Sequence, residues 1–228
     1  MDVKEKINDC KYNLNQIKHF NPDPFYVDYF FKNYLQAVSD VYNGIFGEAN
    51  RDFGLFVPEK CTEEKFRAKV LEKKDNLALE FLSWFEKHYE DEHDNQYPNF
   101  IKKVLEFFTK HGELPKITIK MLVNQRYADD INQEIHVELT NGKIRSKEHL
   151  QLEIKRQIPM FLELINQKRN RYDEPKVYEN QIIASTFLEL ENYEDIEIPY
   201  ACEIYLHVVV RLLEESQKEI KRLTTYVG

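Results

Sequence analysis

Apolar residues recur at helical spacing along most of this chain. Val3, Ile7, Cys10, Leu14 and Ile17 stand among charged neighbours, which predicts an amphipathic helix over about residues 2–19. Asn21-Pro22-Asp23-Pro24 stops it and opens the next, with Asp23 as N-cap and Pro24 at the first helical position, where a missing N–H costs nothing. A second helix over about 24–50 carries Phe25, Tyr29, Phe30, Tyr34, Ala37, Val38, Val41, Ile45, Phe46 and Ala49, a stripe wide enough for the middle of a bundle. Gly44 and Gly47 lie within it; they either permit close approach of another helix or mark fraying near its end.

Thr62 caps a third helix that the spacing of Phe66, Val70, Leu77, Phe81, Leu82, Trp84 and Phe85 carries to about residue 90. Pro98 introduces a fourth, about 99–111, which Gly112 ends in the position favouring a left-handed residue. The period then changes. Residues 116–121 and 134–139 alternate apolar and polar, and Asn141-Gly142 is a turn signal, so a small antiparallel sheet or a pair of extended arms is expected. Helical spacing returns over 147–168, with a kink or break predicted at Pro159. Residues 166–180 read as a mobile loop and 181–191 as an ambiguous, β-compatible stretch. Pro199 starts a closing helix through Cys202, Tyr205, Val208, Leu212 and Leu223. The expected fold is mainly α: one helical bundle with a small β-containing insertion between the fourth helix and the C-terminal helices. The implied division is a bundle core over 1–112, the insertion over 113–195 and a closing helix over 196–228.

Composition narrows the picture. Apolar residues are 42% and charged residues 32% of the 228, which excludes both a disordered and a membrane-embedded chain. Only six residues are glycine, too few and too scattered for a phosphate-cradling loop, and neither GxSxG nor HExxH occurs. The net charge of −8 opposes a surface that grips nucleic acid as a whole. Residues 143–176 run against it, with nine Lys or Arg and five Asp or Glu; they form either an ordinary solvated helix face or a local basic surface for RNA. Within them Lys168, Arg169, Arg171 and Tyr172 join positive charge to an aromatic ring and are the candidate nucleic-acid contacts. Cys10, Cys61 and Cys202 are too few and too dispersed for a disulfide framework, which suits a reducing cytoplasm.

One acidic run, residues 86–94, includes His88 and Glu92 four positions apart. On a helix they share a face and are candidate metal ligands, although a structural site wants four; the alternative is a solvated helix end. No cofactor is implied.

The segments Phe30–Ala37, Ile45–Asn50, Phe81–Phe85 and Ala201–Leu206 together resemble the packing helices of HEPN-type bundles, over about the first 110 residues and the last 30. The resemblance implies a helical fold and a homodimer. It also implies, for many members, a metal-independent ribonuclease with an Arg, a polar residue, three to five further residues and a His. That motif is missing. None of the seven histidines has an Arg five to seven positions before it, and Arg145 with His149 is the nearest pair, one residue too short. Two functions are therefore expected: a non-catalytic or degenerate HEPN-like protein acting through self-association or a protein partner, or an RNA binder or nuclease using residues 143–176 with Arg145 and His149 as catalytic candidates.

Overall fold

A computed structural model describes residues 3–58, 60–123, 135–137, 147–191, 193 and 195–225. Its elements in order are α1 (Val3–Phe20), α2 (Pro24–Asp52), α3 (Glu63–Lys73), α4 (Asn76–Glu92), α5 (Gln96–His111), β1 (Lys116–Val123), β2 (Ile135–Val137), α6 (Lys147–Arg171), β3 (Ile182–Glu189), β4 (Ile196–Glu197) and α7 (Ile198–Thr225). The fold is mainly α with a small antiparallel sheet set between α5 and α7.

The start of α2 follows from local chemistry. Asp23 adopts an extended conformation and its carboxylate accepts from the N–H groups of Phe25 and Tyr26. The predicted third helix is two helices. Lys74 takes a left-handed conformation at the end of α3, and Asp75 caps α4 by accepting from Ala78 N–H at 2.9 Å. The apolar spacing Phe66, Val70, Leu77, Phe81 runs straight across this corner and hides it. The β-containing insertion accordingly follows the fifth helix rather than the fourth.

One core joins α1 to α5 with α7. Gly44 decides how close α1 and α2 come: a Cβ there would stand 2.5 Å from Val3 Cγ2, so Gly44 permits the helix contact, whereas Gly47 faces open space. Phe46 sits among Phe66, Phe81 and Phe85 with centroid separations of 4.8–6.4 Å, the distances at which aromatic pairs attract. Burial on α2 falls on Val27, Phe31, Tyr34 and Leu35, while Phe25 and Tyr29, expected on the inner stripe, face solvent.

The sheet has the order β2-β1-β3-β4, with Lys120 opposite Ser185 and Phe187 opposite Glu197. Its apolar face is shared by two cores. Leu188 and Ile196 join the bundle, while Met121 and Val123 pack with Phe161, Ile165 and Val177. Helix α6 runs unbroken through Pro159, which lies on the exposed side, where water can satisfy the Lys155 carbonyl that proline leaves without a donor. The stretch read as a mobile loop is also different. Residues 166–171 are helical, and the segment after them is pinned: Asn166 bonds both the N–H and the carbonyl of Val177, at 2.8 and 2.9 Å. The ambiguous 181–191 stretch supplies β3. The predicted Asn141-Gly142 turn and all but 135–137 of the second alternating run lie outside the described residues.

Candidate functional site

Among the described residues, polar or exposed aromatic side chains gather inside the bundle, between α4 and α7, and at the corner between α1 and α2. The first is inside the bundle. His93, just past α4, is buried, and its Nδ1 lies 2.6 Å from the Tyr89 carbonyl oxygen. A carbonyl can only accept, so Nδ1 carries the proton and Nε2 must accept. Nε2 is 2.9 Å from the Tyr205 hydroxyl, which is 3.0 Å from the Tyr42 hydroxyl. The directions follow: Tyr42 donates to Tyr205, Tyr205 to His93, and His93 to the backbone of its own helix. Burial lowers the His93 pKa and raises those of Tyr42, Tyr89 and Tyr205. Every member is neutral near pH 7. The chain ties α2, α4 and α7 together, and it holds no charged base or nucleophile.

In front of this chain a groove of about 500 Å³ opens between α2, the start of α3, α4 and α5. Tyr42, Phe46, Phe85 and Tyr89 contribute its aromatic wall. Lys102 lies 4.9 Å from the centre of the Tyr89 ring and pairs with Glu90, which lowers the Glu90 pKa. The rim mixes both signs of charge.

A second groove, about 520 Å³, runs between α4 and α7 and holds the predicted pair His88 and Glu92 on one wall. The His88 ring stacks on Trp84 at 4.2 Å, with Nδ1 bonded to the Trp84 carbonyl, and Glu92 is paired with Arg211. Lys218 and Arg222 line the groove as well. Among the described residues no three His, Cys, Asp or Glu side chains are placed to hold a metal ion.

The third place is the corner between α1 and α2. Phe20 stacks on Tyr26 at 4.5 Å and on Phe30 at 5.5 Å, with Phe25 and Tyr29 edge-on to the neighbouring rings. Phe25 is 76% exposed and Tyr29 58%. The corner is fixed from below. Asn21 donates to Ser185 Oγ at 2.9 Å, while its carbonyl oxygen accepts from both the N–H and the hydroxyl of Thr186. Ser185 in turn donates to Glu197, and Lys120, buried beside them, pairs with Asp195.

The predicted nucleic-acid contacts divide. Lys168, Arg171 and Tyr172 are exposed at the end of α6, but Arg169 is 8% exposed and donates to the Pro175 carbonyl, so it holds the following segment in place. His149 lies half-buried in the first turn of α6, and its candidate partner Arg145 is outside the described residues. Cys10, Cys61 and Cys202 are free, buried thiols; burial pushes Cys10 up to about 12 and Cys61 to about 11, and Cys202 also rises. Sequence reasoning missed the His93–Tyr205–Tyr42 chain, because its members are 112 and 163 positions apart. It had a usable signal for the corner: five of the eight residues that open α2 are aromatic, too many for one inner face, so some of those rings must face out.

No protein-family model, curated protein or solved structure matches this chain. No described helix is long and apolar enough to cross a membrane.

Proposed function

We propose that this chain is a non-catalytic, HEPN-like helical protein that acts by association, meeting a second copy of itself at the α1–α2 corner. The observation that carries the reading is the exposure of Phe25 and Tyr29 on a corner held rigid by Asn21 and the Phe20 stack. Exposed aromatic clusters mark interaction sites, and a preorganised one loses little entropy on binding. A two-fold axis through the corner lets the same rings meet their equivalents, as an isologous contact requires. The neutral phenols and thiols of the interior support the non-catalytic part, since a nucleophile has to be activated before it can attack.

Cross-linking tests this directly. The three native thiols are buried, so Phe25→Cys under mild oxidation reports only on the corner. A covalent dimer is expected, whereas Leu71→Cys, also exposed, on α3 away from the corner, stays monomeric. Equal cross-linking of both variants, or of neither, would contradict the reading.

A further inference from the structure

Among the described residues, helix α6 buries one side, through Leu150, Phe161 and Ile165. Its outer side carries an unusual row. Leu152, Arg156, Met160, Leu164 and Lys168 follow at intervals of four, and all five are exposed, with Leu152 at 64%. Residues four apart form a continuous ridge on a helix, the feature that fits the groove of a second helix. Lys155 and Arg171 flank the row, so Met160 and Leu164 stand between basic side chains, Arg156 on one side and Lys168 on the other, and Leu152 extends the apolar ridge by one further turn.

Charge decides what can cover it. Over residues 151–172 the surface carries Lys155, Arg156, Lys168 and Arg171 against Glu153 and Glu163, Arg169 being buried, within a chain whose net charge is −8. A second copy of this face is therefore repelled by it. Phosphate-rich ligands satisfy the basic groups but leave Leu152, Met160 and Leu164 in water. An acidic amphipathic helix satisfies both, its apolar stripe against the three side chains and its Glu or Asp flanks against the basic residues.

We infer that the outer face of α6 is a docking site for an acidic amphipathic helix of a partner protein. This face is separate from the α1–α2 corner and does not depend on self-association.

The test uses the full-length protein and two fluorescently labelled helical peptides of about 20 residues, long enough to span the ridge. One has a leucine stripe flanked by Glu; its twin has Lys in place of every Glu. The acidic peptide is expected to bind in the micromolar range, at least tenfold more tightly than the basic twin. Met160→Glu/Leu164→Glu, which changes only exposed positions, should abolish binding while leaving the circular dichroism spectrum unaltered. Arg156→Glu/Lys168→Glu should weaken binding about tenfold at low salt and less at high salt. Phe25→Ser/Tyr29→Ser should bind like the parent protein. Equal affinity for the twins, binding that survives Met160→Glu/Leu164→Glu, or preferential uptake of single-stranded RNA or anionic vesicles by this face would overturn the inference.

Discussion

His93 couples the stability of this protein to a single buried proton. Its imidazole is neutral because burial disfavours the cation, and both nitrogens are committed, one donating and one accepting. The folded-state pKa therefore lies below the ordinary value of 6.5 that the unfolded chain retains. Above that value neither state binds the proton and the group leaves stability unchanged. As pH falls through it, the unfolded chain takes up a proton that the folded chain refuses, so stability declines by at most about 1.4 kcal/mol per pH unit. Urea unfolding at about pH 7.5 and about pH 5.5 should show this loss in the parent and a smaller one in His93→Gln. Equal losses in both proteins would contradict the assignment. The central place of Tyr205 makes a second prediction. Tyr205→Phe deprives both His93 and Tyr42 of a partner and should destabilise by about 2–6 kcal/mol, because each orphaned buried group costs about 1–3. Tyr42→Phe removes only the terminal donor and should cost about 1 kcal/mol. Chemical denaturation of the two variants checks the order, and a Tyr42→Phe loss equal to or larger than that of Tyr205→Phe would contradict the central place of Tyr205.

At the scale of elements, the two glycines of α2 separate close packing from incidental placement. Gly44 leaves room for Val3, so Gly44→Ala should overpack the α1–α2 contact; a cost of about 1–3 kcal/mol, partly offset by alanine's better helix propensity, leaves a net loss near 1. Gly47 faces open space in the same helix, and Gly47→Ala should gain about 0.5–1 kcal/mol. Equilibrium unfolding of the pair should give shifts of opposite sign. These elements also show what a sequence reveals. Asp23-Pro24 and Gly112 announce helix ends because capping is a local interaction, readable from adjacent residues. The α3–α4 corner was masked although Asp75 is an equally good cap, since Leu77 and Phe81 continue the spacing of Phe66 and Val70. The extension of α6 to Arg171 was hidden by its polar composition; Asn166 and Arg169 spend their side chains on the backbone of 175–177, a pairing that tertiary placement creates. For the candidate sites, the four-residue spacing of His88 and Glu92 correctly put them on one face, while the pairing of Glu92 with Arg211 depends on a helix 119 positions away.

For the whole molecule, the interior and the surface have different characters. Several polar groups of the bundle core are satisfied internally, through the His93 chain and through the Tyr34 hydroxyl bonded to the Cys202 carbonyl at 2.8 Å. Among the exposed large apolar side chains of the described residues, Phe25, Tyr26 and Tyr29 gather at the α1–α2 corner and Leu152, Met160 and Leu164 line the outer side of α6. The sheet connects them: β3 receives Asn21 from the corner, and β1 and β3 pack against α6 on their apolar face. Association through the corner is the central claim. Sedimentation equilibrium on the parent and on Phe25→Ser/Tyr29→Ser, from nanomolar to tens of micromolar, tests it most directly. The parent should follow a single monomer–dimer equilibrium with a micromolar or tighter constant, and the double variant should sediment as a monomer throughout. A parent that stays monomeric over the whole range, or a dimer that the two substitutions leave intact, would contradict the account.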